Sequence, residues 1–189
     1  CILNANKIPT PNTYITSNIK DLKKFRNNFS GELCVCKPIF GSQGKGLEIL
    51  DDDNVHPDYE NLNNVYYLQE YLKHPDGKFA DWRLFVINDK VIASMTREGS
   101  SWINNVANGA LCKFFKPTDE MIKLAVDSSL ALGMNYSGVD IMLSENGYTV
   151  TEVNSIPAWK GLQSVYEDKN VAEIIIKDFL RVCEENRIC

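Results

Sequence analysis

Three residues late in the chain, Asp140, Glu152 and Asn154, have the types and spacing to hold a hard cation. They stand in two β-rich runs, Gly138-Val139-Asp140-Ile141-Met142 and Thr151-Glu152-Val153-Asn154, on either side of the turn-forming cluster Ser144-Glu145-Asn146-Gly147. The pattern predicts one hairpin. Alternation along a strand puts Glu152 and Asn154 on one face, and pairing across the turn brings Asp140 opposite or diagonal to Glu152. Two carboxylates and an amide oxygen then converge. Unpaired, the carboxylates repel one another. A bound cation relieves the repulsion, and an all-oxygen set suits Mg²⁺ or Mn²⁺ better than zinc. A solvated hairpin face with ordinary surface acids is the competing reading of these residues alone.

A second group lies upstream. Leu33-Cys34-Val35-Cys36-Lys37-Pro38 predicts a strand ending in a lysine, followed by Gly41-Ser42-Gln43-Gly44-Lys45-Gly46 and the apolar run Leu47-Glu48-Ile49-Leu50. Strand, glycine-rich loop and strand make a flap whose backbone N–H groups can close over an anion. Glycine lets the main chain approach phosphate oxygens and take positive φ. This is not a Walker A loop, because Gly46 follows Lys45 and no helix pattern opens there. The dinucleotide fingerprint needs a strand-to-helix transition and does not match either. Lys37 at the root of a flap, with a cation hairpin downstream, outlines a nucleoside triphosphate site.

Arg83 and Arg97 sit in apolar strand contexts, where an unpaired guanidinium is costly to bury. They either pair with structural acids or clamp a γ-phosphate and an acyl phosphate bidentately. The only two histidines, His56 and His74, both precede Pro-Asp in turn-like stretches and are expected to be exposed. Triad-type hydrolysis is therefore not expected.

The ordered set strand-Lys37-Pro38, Gly41 to Gly46, Leu68-Gln69-Glu70-Tyr71-Leu72, Asp81-Trp82-Arg83, Gly138-Val139-Asp140 and Glu152-Val153-Asn154-Ser155-Ile156-Pro157 resembles the ATP-grasp ligases. Within them it is similar to the RimK-type α-L-glutamate ligases. The loop Ser101-Trp102-Ile103-Asn104-Asn105-Val106-Ala107-Asn108-Gly109-Ala110 resembles the sub-branch of tetrahydromethanopterin:L-glutamate ligases. The match runs from about Ile8 to Gln163. The resemblance implies an α+β ATP-grasp fold of two α/β subdomains with ATP between them. Residues 1–72 would form the flap subdomain and 73–189 the subdomain with the metal hairpin.

It further implies ATP with Mg²⁺ or Mn²⁺ as cofactors, the metal on Asp140, Glu152 and Asn154. Lys37, Gly41, Ser42, Gln43, Gly44, Lys45 and Gly46 would face the phosphates. Gln69, Glu70, Tyr71 and Leu72 would form the linker edge, with backbone groups near Glu70 and Leu72 on the adenine. Asp81 matches a nucleotide-contacting aspartate, although the preceding loop, Lys73 to Ala80, is longer than in typical RimK enzymes. Asn105 matches the family's loop asparagine, and Arg83 and Arg97 would be the catalytic clamps. Ile103 stands where RimK enzymes carry an arginine, and Ala107-Asn108 where they carry His-Arg, which argues against ribosomal protein as substrate.

The implied chemistry is ATP-dependent ligation of a carboxylate to an amine through an acyl phosphate. L-glutamate would be added to a small cofactor or a peptide carboxylate. Positioning, metal and cationic clamps carry such a reaction without a strong base. The alternatives are a truncated nucleotide-binding module without turnover and a peptide-modifying ligase. In the family an N-terminal α/β domain precedes this core. The chain opens on Cys1 without it, so a fragment, a processed piece or an atypically short member is expected.

At 189 residues and 44% hydrophobic, the chain can bury a substantial core without staples. A net charge of -5 with no basic block argues against nucleic acid. No apolar run reaches membrane-spanning length and no signal-peptide pattern is read at the start of this sequence, so a membrane span or secretion is not expected. Six cysteines without a Cys-x-x-Cys pair fit neither a zinc site nor a disulfide framework. Cys34 and Cys36 are expected on one strand face of a reduced cytoplasmic protein, with which a homo-oligomer is compatible.

Several elements must position these groups. Ser17 is expected to cap a helix over Ile19 to Asn28, and Val65 to Leu72 to form a strand. Trp82 to Ile87 and Val91 to Thr96 read as a hairpin. Pro117 is expected just inside a helix that Gly133 stops after Leu132. Val171 to Glu185 reads as an amphipathic helix with Ile174, Ile175, Phe179, Leu180 and Val182 inward. Asp51-Asp52-Asp53-Asn54 reads as a solvated turn, lacking the Gly and Glu of a calcium loop.

Overall fold

Antiparallel pairing sorts the strands of this computed structural model into two sheets; it describes residues 2–27, 33–41, 44–50 and 62–186. Ser42, Gln43, His56 and the Asp51–Asn54 turn lie outside the described residues. In chain order the elements are α1 (Ile2–Ala5), β1 (Thr13–Thr16), α2 (Ile19–Asn27), β2 (Cys34–Lys37), β3 (Glu48–Leu50) and β4 (Tyr66–Glu70). They continue with β5 (Phe79–Ile87), β6 (Lys90–Gly99), β7 (Leu111–Phe114), α3 (Asp119–Ala131), β8 (Tyr136–Ser144), β9 (Gly147–Asn154), α4 (Lys160–Gln163) and α5 (Val171–Asn186).

The first sheet has the order β1-β4-β2-β3, with the two arms of the flap paired as Cys34↔Leu50 and Cys36↔Glu48. Its core joins Leu22 of α2 to Cys34, Cys36, Leu50, Tyr66 and Leu68. Each fully buried aliphatic side chain there contributes roughly 1.5–3 kcal/mol. Cys34 and Cys36 share a face, as their two-residue spacing requires, and neither is in a disulfide. At the start of α2 the Asn18 Oδ1 accepts from the Lys20 N–H at 3.0 Å.

The second sheet has the order β7-β6-β5-β8-β9 and is covered on both faces. Leu84, Val86, Val139, Ile141 and Val150 pack against Met121 and Ala125 of α3. Phe85, Ala93 and Met95 pack on the opposite side with Leu162 of α4 and Val171 of α5. Residues ahead of β1 join this second body: Ile8 is part of its core, and Pro9 accepts from the Val150 N–H at 2.9 Å.

Two helices depart from the sequence expectation. α3 begins after Thr118, whose Oγ1 accepts from the Met121 N–H at 3.3 Å, so Pro117 precedes the cap instead of entering the helix. A hydroxyl satisfies an otherwise orphaned N–H, which proline cannot do. On α5, Phe179 and Leu180 are exposed rather than inward. The inward stripe runs Val171, Ile175, Asp178 and Val182 at helical spacing, with Asp178 accepting from Asn88 Nδ2 at 2.9 Å. Among the described residues no helix is long and apolar enough to cross a membrane.

Candidate nucleotide and metal cleft

Strand alternation aims the outer charged residues of the second sheet at one place. Asp81 and Arg83 on β5, Arg97 on β6 and Asp140 on β8 share the face opposite α3, and pairing sets Asp81 across from Arg97 and Arg83 across from Asp140. Arg97 donates to both carboxylate oxygens of Asp81 at 2.7 and 2.6 Å, and its Nη2 also lies 2.9 Å from Asp140 Oδ2. Arg83 grips Asp140 bidentately at 2.7 Å on each oxygen. Two cations and two anions thus form one buried row. Burial pushes the Asp81 carboxyl up to about 6 despite Arg97. Burial would also raise Asp140, but Arg97 and Arg83 together hold it below the usual carboxylate range.

Both arginines therefore pair with acids, the first of the two roles open to them. Each does so through Nε and Nη2, leaving Nη1 without a partner among the described residues on the wall of a cleft. That cleft, of about 1250 Å³, lies between the sheets. It exceeds the roughly 300–1,000 Å³ of a typical single-ligand pocket.

Asp140 pairs with Glu152, and Gly138 with Asn154, across the hairpin. The register shifts between Asp140 and Ile141, so Thr151 is an extra residue, and its Oγ1 donates to the Asp140 carbonyl at 3.2 Å. The bulge reverses the alternation. Val150 and Val153 both pack toward α3, while Glu152 and Asn154 line the cleft. Gly138 is needed here because a Cβ would lie 2.6 Å from Pro157 Cβ, so the strand and the Ser155–Pro157 loop fit flush only with glycine.

The donor set suits a hard cation. Asp140, Glu152 and Asn154 each bring a side-chain oxygen to this end of the cleft, although both Asp140 oxygens accept from arginine and the unsatisfied buried atom of Asn154 is its Nδ2 donor, not its oxygen. Among the described residues no three His, Cys, Asp or Glu side chains form a complete metal cluster.

The opposite wall belongs to the first sheet. Lys37 Nζ donates to Gln69 Oε1 at 2.5 Å, and Gln69 Nε2 donates to Thr13 Oγ1 at 3.2 Å. Burial lowers the Lys37 ammonium, and the field of Glu152 from the facing hairpin partly offsets this. Glu70 is tied to Asn12, its N–H donating to the Asn12 carbonyl at 2.9 Å and its Oε2 accepting from the Asn12 N–H at 3.1 Å. Tyr71 N–H donates to the Leu33 carbonyl at 3.1 Å, and Leu72 follows on the same cleft edge.

The flap meets the second sheet through a loop. Gly44, at φ +74°, sits where a Cβ would lie 2.4 Å from Ile103 Cγ2 and 3.0 Å from Asn105 Nδ2. Asn105 Oδ1 accepts from the Asn108 N–H at 2.9 Å and fixes the short 3-10 turn Val106–Asn108. Gly41 and Gly44 line the cleft, whereas Lys45 and Gly46 are exposed. His74 is half-buried, unlike the exposed residue expected. Its ring lies 6.2 Å from that of Trp82, and its Nδ1 accepts from the Asp76 N–H at 3.2 Å.

Two cleft residues were not singled out by their chemistry in the sequence. Trp102 reaches the linker, its ring 6.2 Å from that of Tyr71. Lys160 lines the cleft just after the Pro157 turn. The signal for Lys160 was a lone cation inside the apolar stretch Ala158-Trp159-Lys160-Gly161-Leu162.

The model of the RimK-like ATP-grasp domain family matches residues 1–179. The chain is 36% identical over 187 residues to the tetrahydromethanopterin:α-L-glutamate ligase of Methanocaldococcus jannaschii, covering 95% of this chain and 63% of that protein. It is 32% identical over 182 residues to a probable α-L-glutamate ligase of Vibrio cholerae, covering 93% and 60%. It thus spans less than two thirds of the length of these relatives. Among solved structures, the D-alanine–D-alanine ligase of Bacillus anthracis complexed with ATP superposes with a TM-score of 0.71 at 20% identity, covering 98% of this chain and 65% of that one. The ATP-grasp ligase PsnB, complexed with a variant of its minimal precursor, Mg and ADP, gives 0.74 at 20% identity, covering 95% and 55%. These likenesses carry the ATP-grasp fold. Joined to the match over residues 1–179, they make this chain a member of the RimK-like ATP-grasp family.

Proposed function

We propose that this chain is the ATP-grasp core of an ADP-forming carbon–nitrogen ligase that joins L-glutamate, through its amine, to a small-molecule or peptide carboxylate. The observation that carries the reading is the convergence on one cleft of Arg83, Arg97, Asp140, Glu152 and Asn154 from one sheet and Lys37 from the other. The names of the M. jannaschii and V. cholerae relatives support glutamate as the amine.

Lys37 and the flap backbone at Gly41 and Gly44 would hold the nucleotide phosphates, and the linker from Glu70 to Leu72 the adenine. Asp81 and Asn105 stand behind these groups, the first by fixing Arg97, the second by shaping the loop that Gly44 meets. The free Nη1 groups of Arg83 and Arg97 would face the transferring phosphoryl group, and their bidentate partners keep them in place. Asp140, Glu152 and Asn154 would hold Mg²⁺, which supplies charge neutralisation to the phosphoryl oxygens. The acceptor carboxylate takes the γ-phosphoryl group and ADP departs. The amine then attacks the acyl carbon and inorganic phosphate leaves. No strong protein base is required, and among the described residues the half-buried His74 is occupied by its own turn.

Glu152→Gln in the full-length protein tests this. It keeps the shape and one oxygen but removes the charge of an exposed side chain, so unfolding free energy should move by no more than about 0.5 kcal/mol. ADP release with glutamate and acceptor present should fall by orders of magnitude. An undiminished rate would remove the hairpin from the metal site.

A further inference from the structure

The cations on the cleft wall are unequally occupied. Arg83 and Arg97 are bound to Asp140 and Asp81, Lys37 to Gln69, and Lys78 lies 3.7 Å from Asp76. Lys73, on the linker beside Leu72, and Lys160, on α4, have no carboxylate partner among the described residues. Lys160 is exposed at its own end of the cleft.

Its backbone, by contrast, is fixed. A Cβ on Gly161 would lie 3.3 Å from Cys112 Sγ, 3.3 Å from Val106 Cγ2 and 3.4 Å from Met95 Cε, so α4 rests directly on β6 and β7. Cys112 is the cross-strand neighbour of Arg97, which places the pedestal of Lys160 beside the ion row. Leu162 anchors the same turn in the core, and Ser164 Oγ closes it by donating to the Gly161 carbonyl at 2.7 Å. The surrounding collar, Asn105 to Ala107 and Ile156 to Gly161, contains no carboxylate. Within this collar Lys160 is the one charged side chain, and the ion row beyond it already pairs its arginines with Asp81 and Asp140.

We infer that Lys160 is the specificity-determining contact for a carboxylate of the amine substrate, held on a rigid turn beside the ion row. The inference rests on the ligase reading given above. An amino acid that donates only its nitrogen keeps every carboxylate through the reaction, and glutamate keeps two. Those charges need a cation that neither the nucleotide nor the ion row has already engaged. Lys160 is that cation at the end of the cleft where α4 meets β7. As an ammonium, it makes a charge-assisted contact that an uncharged isostere of similar length cannot replace.

The experiment titrates L-glutamate into the full-length protein saturated with Mg-ADP, for the wild type, Lys160→Met and Lys160→Arg, with Mg-ATP affinity measured in parallel. Lys160→Met should weaken L-glutamate binding roughly ten- to a hundredfold. Lys160→Arg should recover most of the loss, and Mg-ATP affinity should be the same in all three. L-glutamate affinity within twofold of wild type in Lys160→Met would overturn the inference while leaving the ligase reading standing. Weakened Mg-ATP binding in Lys160→Met would overturn it as well, since the residue would then act through the fold. A wild type that binds Mg-ATP but not L-glutamate would overturn the amine assignment and this inference together.

Discussion

The two walls of the cleft are made of different material. The five-stranded wall presents Asp81, Arg83, Arg97 and Asp140 from consecutive inward positions of paired strands, each locked to a neighbour of opposite charge. The four-stranded wall presents Lys37, Gln69, Glu70 and a glycine-bearing loop, and its side-chain ties among the described residues run from Lys37 to Gln69, from Gln69 to Thr13 and from Glu70 to Asn12, with no buried ion pair. One wall is held by buried ion pairs; the other brings glycine backbone and few side-chain ties to the cleft. A surface that must stabilise developing charge benefits from groups that do not reorganise. If the flap closes over the nucleotide as proposed above, few buried side-chain commitments would let it open again.

The contrast can be broken most forcefully at Arg97. Arg97→Met strands Asp81 and Asp140 in a buried site, and unfolding free energy should drop by about 3–5 kcal/mol in denaturant titration. A drop below about 1 kcal/mol would mean that the ion row does not hold its wall together. On the opposite wall, Lys37→Ala should cost only about 1 kcal/mol of stability, from the acceptor it leaves on buried Gln69, and weaken Mg-ATP about tenfold, as calorimetric titration would register. Equal affinity in the variant would remove Lys37 from the phosphate site.

The smallest effect concerns pH. With its folded-state pKa raised to about 6 from the ordinary 3.8, Asp81 binds its proton more tightly in the folded chain. Its contribution to stability is therefore fully present below about pH 3.8 and lost as pH rises through about 6. The stability advantage of wild type over Asp81→Asn should shrink by about 1 kcal/mol between pH 5 and pH 7, read from melting curves at each pH. A constant difference would mean that Arg97 offsets the burial of Asp81 completely.

Much of this was legible because strand alternation and turn chemistry are local. The Asp140–Glu152 pairing follows from two β-rich runs around Ser144–Gly147, and the flap follows from glycines between Lys37 and Leu47. The pairing of Arg83 and Arg97 was open, because which acid reaches a guanidinium depends on strand order, and β5 lies between β6 and β8 only in three dimensions. The outward turn of Phe179 and Leu180 was missed for the related reason that a helix with apolar residues on several faces does not declare which one its neighbours cover. Lys160 escaped because an isolated cation acquires meaning only once the partners of all the others are known.

The extra residue at Thr151 has a mechanical consequence. It works as a phase joint in β9: outside it Tyr148 and Val150 keep time with the α3 core, and inside it Val153 does, one step out of sequence. The two arms of the hairpin are thereby geared separately. Tyr148 and Val150 follow one alternation beyond the bulge, and Glu152 and Asn154 the opposite one, paired with Asp140 and Gly138. The bulge thereby lets one strand serve the α3 core and the cleft with residues of opposite parity.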